Sequence, residues 1–284
     1  MSVMRDLQFR TMTEDEVALA VKWAAAEGWN PGLRDAQCFY QSDPEGFFCA
    51  TIDGKIVGTI SVVNYDDRFS FFGLFIVDPA FRGHGIGMKL YRYAMNHAAS
   101  RIVGADGVIS MVDNYEKNGG LFLHYRNARY EGTGGGNMPE GLTPVRDVQF
   151  DDLLAYDSAH FQARRERFLQ CWIRQQGHYG LAMLDDDGRI SGYGVRRICH
   201  TGHKIGPLFA RDRMSAELVL DGLIAGIPGE AFYLDIPMPN TAAVALVESR
   251  GMMPVFSTAR IYSTRDPVAL PVEEIFGVTT FELG

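Results

Sequence analysis

Apolar and polar positions follow two rhythms along the first part of this chain. Residues 7–10, "LQFR", read as a short strand, whereas "TEDEVALAVKWAAAEG" repeats Val17, Ala20, Val21 and Ala24 at helical spacing. Thr13 can cap that helix, Glu14 and Asp15 suit the positive end of its dipole, and Gly28 stops it. The stretch "FFCATIDGKIVGTISVV" (47–63) places two apolar runs about an Asp-Gly turn, which predicts a hairpin. An unbroken apolar strand, "FFGLFIV" (71–77), ends at Asp78 and Pro79. A glycine-rich loop follows, then a helix with Leu90, Ala94 and Ala98 on one face, a strand "GVISMV" (107–112) and a helix at about 118–126. Strands separated by helices, with a hairpin in front, predict an α/β fold built on a mixed sheet covered on both faces. Ligands enter such folds near the carboxyl ends of strands.

The pattern then returns. "YGLAMLDDDGRISGYGVRRI" (179–198) repeats the hairpin phrase, its second strand opening "RISG" where the first hairpin has "KIVG". "LFLHYRNARYEG" and "VALVESRGMMPV" match loosely as the two ends, so the chain reads as an internal duplication. Between the copies, "GTGGGNMPEGLTP" (132–144) resists both helix and interior strand. The predicted division is a first domain at 1–135, a linker at 136–144 and a second domain at 145–284.

Composition narrows the function. With 284 residues, 46% of them apolar, the chain can bury a large core, and its net charge of −8 weighs against nucleic acid or an anionic membrane as partner. It mildly favours a small cationic one. No apolar run reaches the ~18 residues of a membrane span, and the opening "MSVMRDLQFRTMTEDEV" is charged where a secretory signal is apolar. Cys38, Cys49, Cys171 and Cys199 lie far apart without any CxxC, which predicts reduced thiols, a cytoplasmic location and no metal site.

The candidate chemistry lies in "FRGHGIGMKLYRYAMNHA" (81–98). Arg82 to Gly87 reads R-x-x-G-x-G between a buried strand and the first turn of a helix. Successive free amides and the positive end of the helix dipole would suit a pyrophosphate there. Spacing excludes two commoner phosphate loops: no Lys-Ser or Lys-Thr follows the glycines, and GxGxxG fails at Met88.

The segment "LFIVDPAFRGHGIGMKLYRYAM" resembles the acetyl-CoA-binding segment of the GNAT superfamily of N-acetyltransferases, whose signature is [Q/R]-x-x-G-x-[G/A] after an apolar strand and a proline. "NGGLFLHYRNARYEG" is similar to that superfamily's N-x-x-A-x-x-L-Y-x-x-x-G-F segment at Asn118 and Tyr125, while Leu121, His124, Arg129 and Tyr130 depart from it. The likeness covers residues 5–135, and "AAAEGWNPGLRDAQCFYQSDPEGFF" resembles the opening of a two-domain bacterial subgroup. It implies tandem GNAT-like domains, each a mixed, mostly antiparallel sheet flanked by helices. It also implies that Arg82, Gly83, His84, Gly85, Ile86, Gly87 and Met88 hold the CoA pyrophosphate, with Asn118 alongside, and that Phe75, Ile76 and Val77 pair with the pantetheine arm. A backbone amide of that strand would polarise the thioester carbonyl, and Tyr125 would protonate the departing thiolate.

An alkyl amine has a pKa near 10.4 and must lose a proton before it attacks. Many members of the superfamily carry a glutamate on the fourth strand, but "FFGLFIV" has no titratable group. Glu27, Asp35 and Asp113 are the candidates for the base, and Trp29 and Asn30 for the acceptor pocket.

The second copy has lost the motifs. "GHKIGPLFARDRMSAELVLDGLIAGI" keeps Gly202 and Gly206 without R-x-x-G-x-G, Pro207 removes an amide, and Val247 stands where the first copy has Tyr125. The second domain is expected to leave CoA alone and to shape the acceptor side, or simply to stabilise the fold; Arg196, Arg197 and Lys204 could face an anionic group of a substrate, with a hydrated surface as the default. The resulting reading is an acetyl-CoA-dependent N-acetyltransferase that uses direct transfer to a small amine. A protein lysine or N-terminal acetyltransferase and a non-catalytic acetyl-CoA sensor are the alternatives, and the sequence leaves a homodimer open.

Overall fold

The computed structural model describes residues 6–284. Part of the charged opening read against a secretory signal, residues 1–5, therefore lies outside the described residues. The first half runs β1 (Gln8–Thr11), α1 (Glu14–Ala26), α2 (Asp35–Ser42), β2 (Phe47–Ile52), β3 (Lys55–Asn64), β4 (Phe69–Val77), α3 (Ile86–Ala98) and β5 (Ile102–Val108). Tight turns containing α4 (Val112–Asn114) lead into β6 (Phe122–Thr133). The second half runs β7 (Leu142–Pro144), α5 (Phe150–His160), α6 (Glu166–Trp172), β8 (His178–Leu184), β9 (Ile190–Ile198) and β10 (His203–Ala210). It continues through α7 (Arg213–Ala225), β11 (Ala231–Pro237), α8 (Thr241–Ser249), β12 (Met253–Tyr262) and β13 (Ile275–Gly277).

The start of α1 follows its local chemistry. The Glu16 amide donates to the Thr13 hydroxyl and the Thr13 amide to the Glu16 carboxylate, a reciprocal cap. Among the described residues no helix is long and apolar enough to cross a membrane.

The thirteen strands of the described residues join one mixed sheet in the order β1-β2-β3-β4-β5-β12-β6-β11-β10-β9-β8-β7, with β13 on β10. Strands β7 to β11 repeat β1 to β5, each set antiparallel until a parallel last pair, β4–β5 and β10–β11. This is the duplication expected from the hairpin phrases. The last long strand of each half then crosses to the other half. β12 lies between β5 and β6, and β6 pairs with β11. The sheet is thus continuous past residues 136–144, where the sequence changes character. One core cluster draws from both halves, including Phe39, Phe47, Phe168, Trp172 and Phe281.

Three expectations are corrected. The strand expected at 107–112 is β5, which begins five residues earlier and gives way to turns at Ile109. The helix expected at 118–126 is mostly strand β6, because Gly120 (φ 65°) breaks the chain and residues 127–130 are buried between two partner strands. Nor are all four thiols reduced: Cys38 on α2 and Cys171 on α6 form a disulfide, their Cα atoms 5.4 Å apart. Spacing in sequence could not reveal a pairing made by helices from different halves, while Cys49 and Cys199 remain free and buried.

The crosslink spans 133 residues. Closing a loop of that length restricts the unfolded chain, so reduction should lower unfolding free energy by about 2–4 kcal/mol. Thermal melts with and without a phosphine reductant, on wild type and Cys171→Ser, check this. Reductant should shift only the wild type, and equal shifts in both would remove the disulfide as the cause.

Candidate active site

The site is built from the parting of two strands. β4 and β5 pair in parallel only from Phe69–Ile102 to Phe72–Ala105, and beyond that they splay. On its other side β4 carries a bulge: Ser61 of β3 faces Gly73 and Thr59 faces Ile76, with Leu74 at φ 46° inside it. Such backbone is uncommon for leucine and is held here by burial and by the Thr59 hydroxyl, which donates to the Leu74 carbonyl at 2.9 Å. The opening is a cavity of about 350 Å³.

The second half builds the same opening and fills it. β10 and β11 are parallel over 203–205 and 232–234, after which β13 pairs with β10 at Leu208–Gly277 and Phe209–Ile275. The Val278 amide then donates to the Asp235 carbonyl at 2.8 Å. The chain itself thus occupies in the second half the position that is open in the first.

The loop at 82–87 is shaped for an anion. Gly83 (φ 82°) and Gly85 (φ 73°) adopt left-handed backbone, and Gly85 caps α3. Among the described residues the amides of Gly83 through Met88 find no acceptor within the protein, leaving successive donors at a helix N-terminus. Ile86 packs its side chain into the core, so it offers only its amide. Arg82 is turned back, its Nε donating to the Val77 carbonyl at 2.8 Å and its guanidinium pairing with Glu27.

The cavity gathers Glu27, Trp29, Phe75, Ile76, Val77 and Arg82, all expected site residues. Other expected residues stand elsewhere. Asn30 clasps the halves together: its amide nitrogen donates to the Thr201 carbonyl at 2.9 Å and its oxygen accepts from the Thr201 amide at 3.0 Å. Asp35 is buried, accepting from the Gly32 amide at 2.8 Å and from Arg197 Nε at 3.3 Å. Asp113 and Asn118 are exposed, Asn118 donating to Asn114 at 2.7 Å. Arg197 and Lys204 are buried between the halves, not on the hydrated surface expected for them.

Tyr125 is also away from the cavity. It lies on β6 opposite Arg260, with its hydroxyl buried and without a partner among the described residues. The tyrosine that does line the cavity is Tyr115, in the turns after β5. Burial raises its pKa, although contact with the Val108 backbone opposes the shift. The sequence held a signal for it. Tyr115 to Gly119 fits Y-x-x-x-G, whereas Tyr125 meets Arg129 at the glycine position.

Two carboxylates line the cavity, and both are paired. Glu27 holds Arg82, while Asp106 accepts from Arg260 at 2.8 and 2.7 Å and from Asn127 at 2.7 Å. Burial raises the Asp106 pKa, with Arg260 opposing. Trp29 adds its carbonyl to a buried network, accepting from Arg129 at 2.7 Å and Lys204 at 3.0 Å. Phe256, Thr258 and Phe281, all late in the chain, complete the wall.

Comparison with known proteins agrees with this geometry. Residues 9–120 match the model described as "Acetyltransferase (GNAT) family" and residues 153–277 the one described as "Acetyltransferase (GNAT) domain". The chain is 29% identical over 273 residues to the holothin acyltransferase of Pseudoalteromonas sp. (strain SANK 73390), covering 95% of this chain and 92% of that one. It also resembles a Pyrococcus horikoshii crystal structure assigned to the acetyltransferases, with a TM-score of 0.83, 21% identity and coverage of 99% and 97% of the two chains. A tandem GNAT protein from the clavulanic acid biosynthesis pathway gives a TM-score of 0.62 at 13% identity, over 92% of this chain and all of that one.

Proposed function

The chain belongs to the GNAT acetyltransferase family, as two such domains in tandem, and from that premise we propose that it transfers the acetyl group of acetyl-CoA directly to a small-molecule primary amine. The observation that carries this reading is the contrast between the halves. An open strand fork beside unpartnered loop amides exists in the first half, and the second half closes its fork with β13.

Acetyl-CoA supplies an activated acetyl thioester. The amides of Gly83 to Met88 would hold its pyrophosphate, and the free edge of β4 from Phe75 to Val77 would pair with the pantetheine arm. A β4 amide would orient the thioester carbonyl, and the Tyr115 hydroxyl would give its proton to the departing sulfur. Trp29 from the first half and Phe256 and Phe281 from the second form an aromatic wall to one cavity. An acceptor enclosed by both halves favours a small molecule over a protein segment, which needs an open groove. The relative's name gives holothin as its acceptor. A cytoplasmic location belongs to this proposal, and the Cys38–Cys171 disulfide is the observation that weighs against it.

Thiol release from acetyl-CoA, measured against polyamines, amino acids, amino sugars, arylamines and lysine peptides, tests the reading. Turnover should appear with one small-amine class and be absent with peptides. Tight acetyl-CoA binding with no turnover on any acceptor would favour the sensor, and peptide turnover alone would make the protein acetyltransferase correct.

A further inference from the structure

Every residue from 275 to 284 is buried, a run that includes Thr279, Thr280 and Glu282. The run is threaded between the halves, and glycines on both sides admit it. A Cβ on Gly73 of β4 would collide with the Glu282 carbonyl oxygen, and one on Gly206 of β10 with the Thr279 carbonyl oxygen. At its end the chain folds into a turn. The Gly284 amide donates to the Thr280 carbonyl at 3.1 Å, and the Leu283 amide to the Thr280 hydroxyl at 2.8 Å. The Tyr65 hydroxyl anchors the turn by donating to the Leu283 carbonyl at 2.8 Å.

Glu282 stands within that turn, 2% exposed, and among the described residues no group donates to either carboxylate oxygen. An ionised carboxylate left so costs several kcal/mol unless something donates to it. The surrounding charges are otherwise matched: Arg129 with Asp235, Arg197 with Asp35, Arg260 with Asp106. Lys204 and Glu282 remain, and the Lys204 ammonium donates a hydrogen bond to the Trp29 carbonyl, not to Glu282. Glu282 acts electrostatically on Asp106, Arg129, Arg197 and Lys204, from β5, β6, β9 and β10. Its neighbour Phe281 and the glycine behind it, Gly73, both line the cavity. The buried Ser61 hydroxyl, also without a partner, lies beside the same glycine.

We propose that Glu282 is the base for the acceptor amine, supplied to the first half's cavity by the 278–284 segment of the second half and reached from the cavity through one ordered water. This rests on the acetyl-transfer reading above. Glu27 and Asp106 are held by arginines, and Glu282 is the nearby carboxylate with both oxygens free to accept. The ammonium passes one proton to Glu282, and the neutral nitrogen forms the N–C bond as the C–S bond breaks. Tyr115 protonates the sulfur, the nitrogen's second proton restores Tyr115, and Glu282 returns its proton to solvent. One proton is released per turnover.

The test compares wild type, Glu282→Gln and Glu282→Asp with an alkyl-amine acceptor between pH 7 and 9, with acetyl-CoA affinity followed by calorimetry. At pH 7 Glu282→Gln should lose on the order of 10²-fold in kcat/KM for the amine while its acetyl-CoA affinity stays unchanged. Its rate should then climb about tenfold per pH unit as the free amine fraction rises, so that the deficit narrows. A purely structural role predicts a deficit that does not vary with pH, which would overturn the assignment. A wild-type rate for Glu282→Gln throughout would also do so. Should Glu282→Gln fail to fold, Glu282→Asp carries the test: the displaced carboxylate should give a smaller deficit at pH 7 that narrows as pH rises, and a deficit that does not vary with pH is equally fatal. Absence of turnover by the wild type with every amine overturns the acetyl-transfer reading itself, and this assignment with it.

Discussion

Replacing Tyr115 with phenylalanine should lower kcat by about 10²–10⁴-fold and leave acetyl-CoA affinity within about twofold. The phenol has what a proton donor to a leaving thiolate needs. It lines the cavity, and as a phenol, whose pKa burial only raises further, it carries its proton at neutral pH. Its ring fits against Gly107, where a side chain would collide with it, and meets Phe72 edge-on at 6.5 Å. Phenylalanine keeps those contacts and removes only the hydroxyl. The control is Tyr125→Phe. That hydroxyl is buried beside Arg260 with no partner among the described residues, so its loss should leave the rate unchanged and stability the same or slightly higher. Steady-state rates and calorimetric acetyl-CoA binding on both variants decide the matter. Equal rates for wild type and Tyr115→Phe would remove Tyr115 from the mechanism, and a collapse in Tyr125→Phe alone would return the role to Tyr125.

What the sequence showed and what it hid divide along a physical line. The α1 cap, the β2–β3 hairpin, the apolar β4 and the glycine loop are local features, fixed by neighbours a few residues apart, and all were legible. So was the duplication, because each half keeps its own hairpin phrase. The crossing of β6 and β12 depends on contacts between residues more than a hundred positions apart, for example Tyr125 opposite Arg260, and no periodicity reports those. That Tyr115 and not Tyr125 lines the cavity has the same origin: most of the helix expected at 118–126 is strand β6, which has partner strands on both sides. Cys38–Cys171 and Glu282 share that origin, since each acquires meaning only when the second half is laid against the first.

The contact between the halves also sets the largest expected stability effect. Asp235→Asn should reduce unfolding free energy by about 3–5 kcal/mol. Asp235 on β11 lies directly opposite Arg129 on β6, and the pair bonds through both oxygens at 2.6 and 2.8 Å. Both side chains are about 95% buried, so the guanidinium could not recover hydration once the charge opposite is removed. It would stay against Phe256 and Phe281, near the equally buried Lys204, whose ammonium shares the Trp29 carbonyl. The same geometry predicts a pH dependence. Burial alone would raise the Asp235 pKa, but Arg129 outweighs it and holds the carboxyl below the ordinary range. The pair's contribution is therefore complete above the unfolded aspartate pKa of about 3.9 and is lost as pH falls through the lower folded value. Denaturant unfolding of wild type, Asp235→Asn and the double variant Arg129→Met/Asp235→Leu separates charge from packing. The double variant removes both charges and should recover most of the loss. Because Arg129 also holds the Trp29 carbonyl at the cavity wall, Asp235→Asn should weaken acceptor turnover even at temperatures where it stays folded. Stability equal to wild type in the single variant would show that water reaches this pair and that the halves are held together elsewhere.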